Sequence, residues 1–204
     1  MAHVQMTHHQ YNLKAPGKKI AYRANREGIE LAFEDDSAKR MIESDLTMIE
    51  SYSEEIRKLE WFIEKQGRSK VNNAQALSLL KSVPGIGDVL SLTILYEIEN
   101  IERFFSVQKF CSYARLVRPE KTSAGKSVGG GGKKIGNPHL KWAFSEATAL
   151  MLRACAKAKK YKERLERKHG KAKAMNLLSH RIGKAVYFML LRNKPFDENK
   201  FFAE

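Results

Sequence analysis

The sequence predicts a mainly α protein, in which a long coiled-coil-like N-terminal helix precedes a helical domain containing a helix-hairpin-helix motif. Three observations lead there. Apolar residues recur at helical or heptad spacing over most of the chain. Runs with the period-two alternation of strands are scarce, and a Pro-Gly-Ile-Gly tetrapeptide separates two short apolar helices. The length of 204 residues suits one domain or one domain plus an arm, and a hydrophobic content of 43% is ordinary for a globular chain.

Residues 1–36 show no sustained period. His3, His8, His9, Pro16 and Gly17 are scattered without an apolar stripe, so the segment is expected to be a poorly ordered lead-in. The His8-His9 pair lacks a second ligand group at a metal's spacing, and no metal site is assigned. From residue 37 the pattern sharpens. Ile42, Ile49, Ile56 and Ile63 recur every seven residues, with Leu46, Tyr52 and Leu59 between them. Residues 37–70 are therefore expected to form one amphipathic helix of about 30 residues, roughly 45 Å long. Its seam needs a cover, either its own domain or a second copy, and a homo-oligomer through this helix is the expectation. A bare acidic pair such as Asp35-Asp36 at a helix entry reads as a cap.

Residues 74–204 form the helical domain. Leu77, Leu79, Leu80 and Val83 belong to a short helix that Pro84-Gly85-Ile86-Gly87 stops. Asp88 can cap a second helix carrying Val89, Leu90, Leu92, Ile94, Leu95 and Ile98. Helix, Gly-hydrophobe-Gly turn and helix over 77–98 make the helix-hairpin-helix pattern. Its glycines permit close approach, free N–H groups at the start of the second helix could hold a nucleic-acid phosphate without regard to sequence, and Gly85, Ile86 and Gly87 are the expected DNA contacts of the turn. A plain αα-hairpin without a ligand satisfies the same pattern. A dinucleotide fingerprint is excluded, because no strand precedes the glycines and no third glycine follows in place. Further on, a helix over 107–114 should face its aromatics into the core, a helix is expected over 140–161, and a last apolar helix over 180–191. Cys111 and Cys155 read as small core residues.

Charge narrows the partner. The chain carries a formal +14, yet residues 101–194 hold 23 Lys and Arg against 5 Asp and Glu, a net of +18, while the rest nets −4. Such asymmetry favours a polyanion, with nucleic acid ahead of an anionic membrane. No apolar run reaches a membrane span, and the N-terminus lacks a signal-peptide layout.

Between Leu116 and Leu140 the chain stops being apolar. It reads Arg118-Pro119-Glu120-Lys121-Thr122-Ser123-Ala124-Gly125-Lys126-Ser127-Val128, four glycines, then Lys133-Lys134-Ile135-Gly136-Asn137-Pro138. A loop this long is usually functional or disordered. Lys121, Lys126, Lys133 and Lys134 would surround Ser123 with a positive field able to hold a phosphate. The nearest histidine in sequence is His139, so no hydrolase triad assembles locally. The residues alone describe a phosphate-binding loop.

Residues 80–151 resemble the C-terminal domain of the insertion sequence 110 family of transposases, the serine-containing DEDD recombinases. The resemblance rests on Val83-Pro84-Gly85-Ile86-Gly87, on Glu97 and Phe104, and on Tyr113-Ala114-Arg115-Leu116. It continues through the serine loop to Lys134-Ile135-Gly136-Asn137 and Leu140-Lys141, with Arg181-Ile182-Gly183-Lys184 fitting the closing helices. It implies DNA recombination in which a serine attacks a DNA phosphate and forms a phosphoserine intermediate. Ser123 matches that serine, with Ser127 as the alternative. Lys134, Gly136 and Asn137 carry over as substrate-contacting or loop-shaping positions, and Lys141 as a further DNA contact. Ala124 follows the serine where Gly is usual, and Arg115 and Lys141 stand where Gly and Arg are commoner.

The family also implies an acidic ribonuclease H-like domain that binds magnesium, and a structured guide RNA. Nothing in residues 1–73 reads as that domain, so the expectation is the C-terminal portion of a transposase, truncated or one subunit, inactive alone and cofactor-free. Such a protein is expected in the cytoplasm, at the nucleoid. The alternative is a non-catalytic helix-hairpin-helix nucleic-acid-binding module.

Overall fold

The computed structural model describes residues 1–14, 19–69, 71–117, 122–123, 126–127 and 135–203. They divide into two compact units, Met1–Lys65 and Gln66–Glu204.

In the first unit, α1 (Ala2–Gln10) and two 3-10 turns, Arg23–Asn25 and Ile29–Ala32, lead into α2 (Asp36–Ser69), a helix of 34 residues. The Asp35 carboxylate accepts the Ala38 N–H at 2.8 Å and caps α2, as the acidic pair suggested. Val4, Ile20, Ile29, Phe33, Ala38 and Ile42 form a small core. His8 lies buried within it, its Nδ1 2.8 Å from the Val4 carbonyl and its ring edge-on to Phe33. Arg26 ties the following coil together, donating to the carbonyls of Ile20 and Ala21 and pairing with Glu50 at 2.9 Å. Residues 1–36 are thus more than the expected lead-in. Their apolar side chains arrive one at a time from turns, so no period announces them. The heptad seam of α2 is covered only at its start. Ile42 is buried, whereas Tyr52, Ile56, Leu59 and Ile63 are 71%, 53%, 58% and 42% exposed.

The second unit, which begins within the last turn of α2, continues with α3 (Val71–Lys81), α4 (Asp88–Ile98), α5 (Val107–Tyr113), α6 (Pro138–Ala154), α7 (Ala156–His169), α8 (Lys171–Arg192) and α9 (Glu198–Phe202). The mainly α expectation holds. Among the described residues the strands are β1 (Thr122–Ser123) and β2 (Lys126–Ser127), two residues each. Helix α8 packs against α3, α5, α6 and α7, and α4 packs against α3 and α6. Leu80, Ile94, Phe110, Leu140, Phe144, Met151, Leu178 and Ile182 form the fully buried centre. Cys111 and Cys155 lie in this core, and burial pushes the Cys111 thiol up to about 11.

Two boundaries differ from expectation. The segment expected as one helix over 140–161 is α6 and α7, separated at Cys155, whose backbone is extended at φ −127° and ψ 115°. The change of direction lets α7 bury Ala158 and pack on α8. The last apolar helix begins at Lys171 rather than near 180, because Gly170 at φ +80° ends α7 and α8 starts directly behind it. No helix among the described residues is long and apolar enough to cross a membrane.

Candidate nucleic-acid interface

The turn over residues 82–87 sits against α6. Gly85 has φ +93°, and a Cβ there would lie 2.5 Å from the Met151 nitrogen and 2.7 Å from the Ala147 carbonyl oxygen. Only glycine allows the turn to rest directly on that backbone. The Ile86 side chain is buried, and its N–H donates to the Val83 carbonyl at 3.0 Å. Gly85 and Ile86, expected at the DNA, therefore serve packing with the groups described here. Gly87 differs, since nothing lies within 4 Å of a Cβ built on it. It is the N-cap of α4, without a side chain, and Asp88 is the first helical residue rather than the cap. The Asp88 carboxylate accepts a hydrogen bond from the Lys81 ammonium, which holds its pKa below the ordinary carboxylate value. A phosphate at this helix start would share the positive end of α4 with that ion pair.

The ends of the serine loop are clamped. Asn137 N–H donates to the Tyr113 carbonyl at 2.6 Å. Gly136 has φ +94°, and a Cβ there would lie 2.6 Å from the Tyr113 carbonyl oxygen. Arg115 Nε donates to the carbonyls of both Ile135 and Gly136 at 3.0 Å. Asn137 is buried. Its Oδ1 accepts the Leu140 N–H at 2.9 Å, capping α6, and its Nδ2 donates to the Glu97 carboxylate and, at 3.4 Å, to the Tyr113 hydroxyl. Arg103 stacks over the Phe104 and Tyr113 rings and donates to the Glu97 carbonyl at 3.1 Å. Of the two roles that resemblance implies for Asn137, this geometry serves loop shaping, because both ends of its amide are engaged by the protein.

Within the loop, β1 and β2 pair antiparallel, with Thr122 opposite Ser127 and Ser123 opposite Lys126. Both candidate serines thus lie on one short backbone hairpin. Lys121, Lys133 and Lys134 lie outside the described residues. Lys141 is half-buried in the first turn of α6 and has no acidic partner among the described residues.

Sequence reasoning missed the purpose of Arg115. Its backbone has φ +53°, the left-handed region, which accounts for glycine being the commoner residue there. It also gave Glu97 no role beyond a motif landmark. The signal available was the Tyr-Ala-Arg-Leu run, which marks one jaw of the clamp. The basic surface, by contrast, stands where composition put it. Lys157, Lys159, Lys160, Arg164, Arg167 and Lys168 on α7, with Lys171 and Lys173 at the start of α8, are exposed. Lys157 pairs with Glu198 at 3.4 Å and Lys162 with Glu166 at 2.7 Å.

Among the described residues no three His, Cys, Asp or Glu side chains group to hold a metal ion. The magnesium implied by the resemblance finds no ligand set in them.

The described site is thus a helical domain with a loop clamped at both ends and a cationic flank on α7 and the start of α8. Residues 77–163 match the model of the transposase IS116/IS110/IS902 family, in agreement with the sequence motifs. The match runs from α3 into α7 and takes in the loop and its clamp. That match supports a general role in transposition and recombination. No curated protein matches the chain.

Proposed function

We propose that this chain is the DNA-binding, nucleophile-bearing portion of an insertion-sequence transposase, with Ser123 as the attacking residue and Ser127 as the alternative. The observation that supports the reading is the loop clamped at both ends inside the family-matched region, whose sequence carries Ser123 and Ser127 on one short backbone hairpin. In the proposed step the Ser123 oxygen bonds to a DNA phosphorus as a sugar oxygen leaves. The serine proton ends, in the net balance, on that sugar hydroxyl. Lys121, Lys126, Lys133 and Lys134 would balance the developing negative charge, and exposed cations of α7 and Lys141 would hold the flanking backbone. The open N-cap at Gly87 offers one further phosphate contact, in the manner of a helix-hairpin-helix.

The acidic, magnesium-binding half of the site would come from a ribonuclease H-like domain, and a structured RNA would select the target. The exposure of Tyr52, Ile56 and Leu59 on α2 supports assembly through a second copy of that helix. The place of action would be the cytoplasm, at the nucleoid. With the acidic domain supplied, Ser123→Ala should abolish the covalent DNA adduct seen on denaturing gels and leave affinity within about twofold. Adducts that persist in that variant and vanish in Ser127→Ala would move the nucleophile to Ser127. Adducts surviving both would refute serine chemistry in this loop.

A further inference from the structure

A second place in the fold combines aromatic surface with unbalanced positive charge, and it lies wholly outside residues 77–163. A cavity of about 830 Å³ opens between α8 and the C-terminal segment that ends in α9. Its size falls within the roughly 300–1,000 Å³ of pockets that take small ligands or single groups. Phe188, Phe196 and Phe201 supply the aromatic walls, and Lys184, Arg192 and Lys194 supply the cations. The Arg192 guanidinium lies over the Phe188 ring, its carbon 4.7 Å from the ring centroid. Phe196 and Phe201 pack with ring centroids 5.0 Å apart.

The acidic groups at the rim are already balanced. Asp197 caps α9 and pairs with Lys200 at 3.4 Å, and Glu198 pairs with Lys157 at 3.4 Å. Lys184, Arg192 and Lys194 have no acidic partner among the described residues, and all three are exposed. The cavity is also braced. Arg181 donates to the Phe201 and Ala203 carbonyls and to the Tyr161 hydroxyl, and Phe196 N–H donates to Ser82 Oγ at 2.9 Å. A mouth with net positive charge and planar walls suits a ligand that is both anionic and planar. Paired bases inside a duplex cannot reach such a recess, whereas an unpaired base can stack there with its phosphates at the rim.

We propose that this cavity seats an unpaired nucleotide of a single strand, with the base against Phe196 and the Arg192–Phe188 pair. The flanking phosphates would then lie on Lys184, Arg192 and Lys194. This rests on the reading of the chain as a nucleic-acid binder and adds a strand-specific site to it.

The test uses the full chain and fluorescence anisotropy with a labelled single-stranded DNA, the RNA of the same sequence, and the DNA duplex. The R192Q/K194Q double variant should weaken single-strand binding about tenfold. It should also flatten the dependence of log affinity on log salt by about 1.4, near 0.7 for each phosphate left without its cation. Phe196→Leu should weaken single-strand binding about tenfold with the salt slope unchanged, because a stacking face disappears and no charge is removed. Duplex affinity should stay within twofold for both. The double variant alters only exposed side chains, so it decides the matter if Phe196→Leu lowers the melting temperature. Stronger binding of the RNA would assign the site to a guide strand, and equal or stronger binding of the DNA to a displaced strand. Unchanged single-strand affinity in R192Q/K194Q, with duplex binding intact, overturns this site and leaves the transposase reading standing. A polyglutamate peptide that displaces the single strand at equal charge concentration makes the occupant an acidic protein segment and also overturns it. Failure of the unaltered chain to bind any of the three nucleic acids removes both readings.

Discussion

Replacing Gly85 and Gly87 one at a time separates the folding role of the 82–87 turn from its binding role. Gly85→Ala forces an L-residue to φ +93°, which costs about 1–2 kcal/mol. It also places a methyl group 2.5 Å from the Met151 nitrogen and 2.7 Å from the Ala147 oxygen, both backbone atoms of α6 that cannot rotate away. Overpacking of this kind costs roughly 1–3 kcal/mol, so the total is about 2–5 kcal/mol. For a unit of this size that lowers the melting temperature by on the order of 10 °C. Gly87→Asp meets nothing within 4 Å and puts a favoured residue at the N-cap of α4, so melting should be unchanged or slightly raised. It adds a second carboxylate beside Asp88 at the candidate phosphate position, and DNA affinity should fall about tenfold. Differential scanning fluorimetry and anisotropy on the same preparations give both readouts. A melting temperature for Gly85→Ala within 2 °C of the parent would refute the packing argument. Undiminished DNA affinity in Gly87→Asp would remove the turn from the binding surface.

Two further outcomes follow from the same geometry. Asn137→Ala removes the α6 cap and leaves Glu97 without its amide partner, so it should cost about 1–3 kcal/mol in urea unfolding, whereas Asn137→Asp keeps the cap but faces Glu97 with a like charge and should rescue little. Burial, and secondarily the Lys184 charge, lowers the His180 pKa below its ordinary 6.5, so the unfolded chain takes up that proton first and stability should fall as pH drops through and below about 6.5, a slope measured by melting from pH 7.5 to 5 that His180→Gln should flatten.

Local chemistry made the helices legible and left their corners obscure. The heptads of α2, the apolar pairs of α3 and α4, and the Asn-Pro start of α6 each carry their own signal. The break at Cys155 has none, because neither glycine nor proline marks it and the packing of α7 on α8 decides it. The core of the first unit escaped for a related reason. Val4, Ile20, Ile29 and Phe33 converge from α1 and irregular chain, where no period links them. At the candidate site, the positive excess and the serine-lysine loop were visible in composition. The bond from Asn137 to Glu97 spans 40 residues and could be seen only once α4 and α6 were packed together.

The clamp between the Tyr113–Arg115 side and Gly136–Asn137 has a consequence for how this region could change by insertion or deletion. Chain ends that are fixed by the body insulate that body from whatever length runs between them. Doubling such a stretch adds only about 0.6 kcal/mol of closure cost. Engineered exchanges between residues 117 and 135 should therefore leave the melting of the helical frame nearly untouched so long as both jaws are kept.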